Sequence, residues 1–266
     1  YRTGISLLPP SHHLTFSPSH HHTLPFDLVT AVAASPHEAY VGMDGGGLAV
    51  YNLRTHRLRT FTTHNSTICG NNIVSMAHDG HKLWMAVFGK GVAAYDTHTA
   101  AITNYTLPLQ SKSGDVIWTL KYDGEGKLWI GGRDVFLINC ATGKLHTVQA
   151  LVGTHAQAFS IHGAYVWMAS SEGLYKVNRR TLTVEAFYNA TTNPKLPSSN
   201  VRYVYADKRG YIWISFCDAD LCRLNPRTHE LKVYGSKQGL ETYAVTGITE
   251  AAHGYMLFAT GNGLYY

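Results

Sequence analysis

The sequence has few charged side chains, few cysteines and no long apolar segment. Asp, Glu, Lys and Arg make up 15% of its 266 residues, and its lysines and arginines are scattered through turns. A nucleic-acid surface concentrates basic residues on one element, so we expect no nucleic-acid partner. No apolar run approaches the roughly 18 residues that span a bilayer, so membrane attachment would come only from a longer parent chain.

Catalytic and metal-binding motifs are also missing. None of the four cysteines forms a C-x-x-C pair, which argues against structural zinc. The sequence contains no Gly-x-Ser-x-Gly elbow, Walker loop or His-Glu-x-x-His motif. A histidine tract, SHHLTFSPSHHH at 11–22, has no acid or cysteine at ligand spacing, and we interpret it as a polar segment. We therefore expect no catalytic residue, metal site or cofactor.

A pattern centred on an aromatic residue is repeated along the chain. It consists of a turn, an apolar run, a glycine-rich turn, a second apolar run and a polar turn, as in HDGHKLWMAVFGKGVAAYD at 78–96. The histidines of that stretch do not recur, so they are not a repeated ligand pair. The other copies lie at 122–144, 161–181 and 206–228, with weaker ones at 35–55 and 251–266.

A second landmark sets the period of the repeat. In five copies an Asn or Asp is followed three residues later by Thr, and such a side chain caps its own turn by accepting backbone N–H bonds. The spacing is roughly 43 residues, in the range of propeller blades. The pairs are Asn52/Thr55, Asp96/Thr99, Asn139/Thr142, Asn178/Thr181 and Asn225/Thr228.

These observations predict an all-β fold, a β-propeller of four-stranded antiparallel blades. In the second copy we place strands at 72–77, 82–88, 91–95 and 101–106. We treat 1–266 as one propeller domain in which residues 1–25 form a leader that supplies an outer strand to the last blade. The alternative is part of a seven-bladed or longer array. The six blades lie near 26–70, 71–115, 116–158, 159–199, 200–244 and 245–266.

The stretch from Leu196 to Ile248 resembles the two-component regulator propeller repeat. Its matching phrases are NV at 200–201, DKRG at 207–210, IWIS at 212–215 and KQGL at 237–240. The resemblance extends over nearly the whole chain from about Phe26. The glycine-rich turn of the third copy departs from the repeat, because Arg133 follows Gly131 and Gly132.

The resemblance implies a periplasmic sensor region of a bacterial hybrid two-component histidine kinase. Such regions are similar to paired propellers followed by a β-sandwich and a membrane helix. The implied ligand is an oligosaccharide or another small molecule. The implied partners are a neighbouring propeller or sandwich domain of the parent chain and, for a homodimer, a second copy. A propeller lyase or glycosidase and a pure protein-interaction scaffold are the alternative functions.

One tryptophan does not fit the repeated pattern. Four tryptophans occupy equivalent positions, which indicates packing between blades. Trp118 has no counterpart in any other copy and follows the loop PLQSKSGD, so we take it as a ligand-binding candidate. The equivalent four are Trp84, Trp129, Trp167 and Trp213.

The other candidates come from loops that share one face of a four-stranded blade. These are the connection that enters the first strand and the turn between the second and third strands. Loops carry specificity where strands carry packing. The ligand-binding candidates there are Lys90, Arg133, Asp134, His155 and Tyr243. Further polar residues predicted on this rim are Asp44, Asn72, Lys112, Glu172, Asn200, Asp218, Asp220 and Asn262.

Two cysteines flank the short segment DADL. If Ala219 and Asp220 form a two-residue hairpin, Cys217 and Cys222 face each other, and a disulfide is geometrically possible. Two unpaired thiols are the alternative.

Overall fold

The computed structural model describes the backbone of residues 5–7 and 14–16 and, with side chains, residues 24, 26, 28–108, 116–240, 245–251 and 254–266. The predicted fold class is confirmed: the protein is an all-β propeller with six blades of antiparallel strands. The chain forms two compact units, residues 1–128 with 139–145 and residues 129–138 with 146–266.

The first unit contains a short hairpin and two four-stranded blades, in which each strand pairs with the next along the chain. The strands predicted for the second blade are confirmed to within one residue at each end. The strands are β1 (Ile5–Leu7), β2 (Leu14–Phe16), β3 (Val29–Ala34), β4 (Glu38–Met43), β5 (Gly47–Asn52), β6 (Leu58–Phe61), β7 (Ile73–His78), β8 (Lys82–Val87), β9 (Gly91–Asp96) and β10 (Ile102–Tyr105).

The third blade supplies residues to both units, and the remaining blades belong to the second unit. Short 3-10 turns follow the third and fifth blades, at Gln149–Leu151 and Ser236–Gln238. The strands are β11 (Thr119–Tyr122), β12 (Lys127–Gly131), β13 (Val135–Asn139), β14 (Leu145–Thr147), β15 (Ala156–His162), β16 (Tyr165–Ser170), β17 (Leu174–Asn178), β18 (Val184–Tyr188), β19 (Val201–Ala206), β20 (Ile212–Phe216), β21 (Leu221–Leu224), β22 (Leu231–Tyr234), β23 (Val245–Glu250), β24 (Met256–Thr260) and β25 (Gly263–Tyr265).

The leader strand pairs differently from our prediction. β1 pairs antiparallel with β2, with Ile5 opposite Phe16, and the last blade has three strands in the described residues. The predicted pairing of the leader with that blade is therefore not present there. A local hairpin closes a far shorter loop than a pairing between the two ends of the chain, and it costs less conformational entropy.

The core lies between consecutive sheets. Second and third strands are the most buried: every residue of β4 is buried, as are the first five of β9. Tyr40 and Leu48 of the first blade pack with Leu83 and Met85 of the second. Each sheet thus covers a face of its neighbour, which a single four-stranded sheet could not do alone.

The Asx-Thr turns form as predicted between third and fourth strands. The Asn52 carbonyl oxygen Oδ1 accepts the backbone N–H of Thr55 at 2.8 Å, and Asp96 Oδ1 accepts that of Thr99 at 2.9 Å. Equivalent bonds form at the other three pairs. The side chain caps orphan amides in each turn, and this local bond explains why the landmark recurs at every copy.

An aspartate before the repeated tryptophan fixes the turn between first and second strands. Asp79 Oδ1 accepts the backbone N–H of His81 at 2.8 Å and of Lys82 at 2.7 Å. Its other oxygen accepts the indole N–H of Trp84 at 2.7 Å. Asp207 accepts the indole N–H of Trp213 at 3.0 Å in the same way. We call this arrangement the Asp–Trp lock; it accounts for the aspartate in the stretch at 78–96 as architecture.

Candidate functional site

The first candidate site is a pair of exposed aromatic rings in the first unit. Trp118 is 53% exposed and Phe88 is 45% exposed. Their ring centroids lie 6.0 Å apart at an interplanar angle of 66°, so the pair is edge-to-face. By contrast, Trp84 is fully buried, as its repeated position predicts. The sequence predicts packing for the repeated tryptophans and not for Trp118, and their different exposure agrees with this distinction.

The backbone that carries Trp118 is held firmly although its ring is exposed. The preceding Ile117 is buried at 3% exposure. Two residues further on, the backbone N–H of Leu120 donates to Ser75 Oγ of the second blade at 3.0 Å. A ring on an anchored segment loses little conformational entropy when a ligand binds against it, which favours affinity.

The turn between β8 and β9 presents Phe88 and Lys90 together. The Phe88 N–H donates to the carbonyl oxygen of Asn72 at 2.8 Å, and the Lys90 N–H donates to that of Val87 at 3.0 Å. The exposed Lys90 side chain extends beside Gly70, where an added Cβ would lie 3.3 Å from Lys90 Cγ. An ammonium group therefore stands on the same turn as one of the two rings.

Two further rim residues meet in this unit. Asp44, on the turn between β4 and β5, pairs with Asn72, on the loop entering β7, and the Asn72 amide donates to the Asp44 carboxylate. The Gly45 N–H also donates to the Asn71 carbonyl oxygen at 3.1 Å. These bonds confirm, within the first unit, that entering loops and second-to-third-strand turns share a face.

Arg133 and Asp134, the charged residues of the glycine-rich turn in the third blade, have different surroundings. Arg133 is exposed, and its carbonyl oxygen accepts the N–H of the exposed His155 at 3.0 Å. Asp134 is buried at 8% exposure, and its Oδ1 accepts the Gly153 N–H at 2.7 Å. Asp134 thus anchors the loop that enters β15 and is placed for structure, whereas Arg133 and His155 face solvent side by side.

The sequence leaves two states open for Cys217 and Cys222, and the structure has the unpaired one. Cys222 is buried and lies opposite Ile214 in the β20–β21 ladder, while Cys217 is exposed in the turn. Both thiols are free, because the turn is longer than two residues and shifts the register away from a Cys217–Cys222 pair. Burial raises the pKa of the Cys222 thiol well above its ordinary value.

Two of the predicted rim residues, Tyr243 and Lys112, lie outside the described residues. The structure brings Trp118 into contact with Phe88, and Arg133 into contact with His155. Sequence reasoning missed Phe88. The available signal was its place in the copy at 78–96. Phe88 stands four residues after Trp84, where the copy at 206–228 has Cys217 four residues after Trp213.

Within the described ranges, no group of three or more histidine, cysteine or acidic side chains is arranged to hold a metal ion. Those ranges also contain no helix of the length and hydropathy that crossing a bilayer requires.

The comparison with protein families gives one match. Residues 195–217 match the family described as two component regulator propeller. They include Asp207 and Trp213, so the matched segment contains an Asp–Trp lock. No curated protein sequence is significantly similar to the chain.

Solved structures share the fold at low sequence identity. The chain is similar to the extracellular domain of a putative hybrid two component system from B. thetaiotaomicron, with 17% identity, a TM-score of 0.73, and coverage of 99% of this chain and 37% of that one. The extracellular domain of a putative one component system from the same organism gives 17% identity, a TM-score of 0.64, and coverage of 98% and 43%.

A third similar structure is PorZ, a surface component of the type-IX secretion system of Porphyromonas gingivalis. It gives 16% identity, a TM-score of 0.69, and coverage of 88% of this chain and 37% of that one. The chain therefore spans less than half the length of each of these three structures.

Proposed function

We propose that the chain is an extracytoplasmic sensor propeller of a two-component signalling receptor, and that it binds an oligosaccharide without cleaving it. The regulator-propeller match at 195–217 and the fold shared with extracellular domains of two-component systems support the signalling role. In this proposal the ligand changes how the propeller packs against a neighbouring propeller, a sandwich domain or a second copy of the chain.

The exposed pair Phe88–Trp118 is the observation that supports ligand binding most directly. A sugar ring has apolar C–H faces and polar edges, so it needs flat aromatic surface together with hydrogen-bonding groups. Two rings in edge-to-face contact at 66° offer a face and an edge, and Lys90 supplies a donor on the same turn as Phe88. Large aromatic rings left half exposed on anchored loops are typical of binding sites.

The experiment is isothermal calorimetry of the chain against a panel of neutral oligosaccharides, followed by chromatography of the recovered sugar. We expect saturable binding and an intact sugar. Trp118→Ala and Phe88→Ala should each weaken binding by about tenfold or more, since an aromatic anchor contributes over about 1.4 kcal/mol. The matched control is Tyr255→Ala, which removes another exposed aromatic ring, 61% exposed, from the second unit.

The control should bind as tightly as the unsubstituted chain. Cleaved sugar would establish the enzyme alternative instead. Equal affinity in Trp118→Ala, Phe88→Ala and Tyr255→Ala would show that the aromatic pair is not the site.

A further inference from the structure

A cavity in the second unit lies outside the candidates described so far. It has a volume of about 320 Å³ and lies where β15 turns into β16, β19 into β20 and β21 into β22. Four basic side chains line it, and no acidic side chain is among the described residues that line it. We call it the cationic cavity; its basic residues are His162, Lys176, Arg209 and Arg227.

The cavity lies where the fourth blade lacks the aspartate of the Asp–Trp lock. In the second blade, Asp79 stands five residues before Trp84 and accepts its indole N–H. In the fourth blade, the residue five positions before Trp167 is His162. A basic side chain thus replaces the acid of the repeat at the position where the cavity opens. The Nε2 of His162 lies 3.4 Å from where a Cβ on Gly210 would stand, so glycine keeps the next turn close to the imidazole.

An aromatic ring holds Lys176, one of the lining cations, in place. Lys176 Nζ lies 3.8 Å from the centroid of the Tyr165 ring, and both side chains line the cavity. The lining ring of Tyr211 stacks instead with Arg223, which is not among the lining residues, at 4.2 Å from Arg223 Cζ. Lys176 Nζ also lies 3.9 Å from a Glu185 oxygen, at the limit of an ion pair. Cation–π stacking orients Lys176 before a ligand arrives, so that less side-chain entropy is lost on binding.

Carboxylates beside the cavity already have partners within the protein. Glu185 accepts the Asn178 amide at 2.9 Å. Asp207 accepts the Trp213 indole N–H and the Arg209 backbone N–H, both at 3.0 Å. Asp207 therefore shapes the turn that carries Arg209. The positive charge lining the cavity exceeds the negative charge beside it, which favours an anion.

We propose that the cationic cavity binds the carboxylate or sulfate group of an acidic saccharide. A guanidinium group forms two parallel hydrogen bonds to the oxygens of either group, and an ammonium group adds a point charge. The volume is sufficient for one sugar ring with its acidic substituent. The rings of Tyr165 and Tyr211 add apolar surface to the wall of the cavity. This second site is separate from the Phe88–Trp118 pair and does not require it.

The test compares two arginines at the same position of successive Asx-Thr turns. Arg227 lines the cavity in the fifth blade, and the exposed Arg180 occupies the equivalent place in the fourth blade without lining it. Calorimetry at low salt should use glucuronate, glucose 6-sulfate, glucose and inorganic sulfate with the unsubstituted chain, Arg227→Gln and Arg180→Gln. We expect Arg227→Gln to weaken binding of an acidic sugar by about tenfold or more, and Arg180→Gln to leave it unchanged.

A second variant restores the acid of the repeat. His162→Asp removes a base and introduces a carboxylate at a position where Asp79 and Asp207 are accommodated in other blades. It should abolish binding of the acidic sugars, and the far-ultraviolet circular dichroism should be unchanged. Binding of glucuronate alone would assign a carboxylate ligand, binding of the sulfated sugar alone would assign a sulfate ester, and either supports the proposal.

Three results would overturn it. These are no saturable binding of either acidic sugar, an equal loss of affinity in Arg227→Gln and Arg180→Gln, or inorganic sulfate binding as tightly as the sugars. Trp118→Ala reports on the aromatic pair and Arg227→Gln on the cationic cavity. Each proposal can therefore fail while the other stands.

Discussion

The two ends of the second blade use tryptophan in opposite ways. Where β7 turns into β8, Trp84 is fully buried, and its indole N–H is bonded to Asp79. Where β8 turns into β9, Trp118 from the next blade is 53% exposed and lies in edge-to-face contact with an exposed phenylalanine ring. At the first end, the protein buries the whole Trp84 side chain and bonds its indole N–H. At the second end, about half of the Trp118 side chain is exposed to solvent.

This difference separates a packing position from the proposed binding position within one repeat. The Asp–Trp lock recurs in the fifth blade at Asp207 and Trp213, so we assign it to stability. Trp118 has no counterpart in any other copy, so its ring is free to serve a ligand. The fourth blade differs at the turn between its first and second strands. His162 stands there in place of the aspartate of the Asp–Trp lock, and a cavity lined by basic side chains lies beside it.

The largest expected effect breaks this contrast directly. Trp84→Ala should lower the free energy of unfolding by about 3–5 kcal/mol, because it removes a fully buried indole and leaves a cavity. Trp118→Ala should lower it by less than about 1 kcal/mol, because the exposed ring has few partners to lose. Urea denaturation of both variants measures the two values.

Circular dichroism and equal m-values would show that both variants unfold from the same native fold. A similar loss of stability in the two variants would mean that Trp118 is a packing residue, and the proposed aromatic site would lose its basis.

A smaller change in the free energy of unfolding tests the aspartate of the Asp–Trp lock. Asp79→Asn should cost about 1.5–3 kcal/mol at neutral pH, since it weakens hydrogen bonds to a charged group inside the turn. The matched control is Asp96→Asn. Four of the five Asx-Thr turns already have asparagine there, so we expect a change within about 0.5 kcal/mol. Urea unfolding at pH 7 distinguishes the two; equal losses would contradict a specific role for the lock.

The contribution of Asp79 should also depend on pH. Burial raises the pKa of Asp79, but hydrogen bonds from Trp84, Lys82 and His81 outweigh it and hold that pKa below its usual value. A lowered pKa in the folded state stabilises the protein above the unfolded value of about 3.9, and the stabilisation is lost as pH falls through the folded pKa. The stability difference between the unsubstituted chain and Asp79→Asn should therefore narrow below about pH 4. A constant difference from pH 5 to pH 2.5 would contradict the lock as a charged interaction.

Repetition made the architecture predictable from sequence. The Asx-Thr pairs act through bonds that span three residues, so their turns and the adjoining strands of the second blade could be placed to within one residue. Trp118 could be singled out because it interrupts the pattern.

Contacts between distant residues were not predictable in the same way. The role proposed for Phe88 depends on its contact with Trp118, and the burial of Asp134 depends on its bond to Gly153, nineteen residues away. The hairpin register leaves no trace in the spacing of Cys217 and Cys222, so the sequence could not decide between a disulfide and two free thiols. The cationic cavity joins three turns from two sheets, and no spacing along the chain relates them.

The smallest effect concerns the Asx-Thr turn between the third and fourth strands of a blade. The residue after each Asx-Thr pair has a left-handed backbone, and only the third blade uses glycine there: Ala100 has φ 61° and Gly143 has φ 70°. Ala100→Gly should raise the free energy of unfolding by about 0.5–1 kcal/mol, because it relieves a strained conformation. Gly143→Ala should lower it by about 1–2 kcal/mol, since its Cβ would also lie 3.0 Å from Tyr105 Cε1. Urea midpoints of the two variants should move in opposite directions. A lower midpoint for Ala100→Gly together with a higher midpoint for Gly143→Ala would mean that chain flexibility in the unfolded state, and not strain in the folded turn, decides the residue at this position.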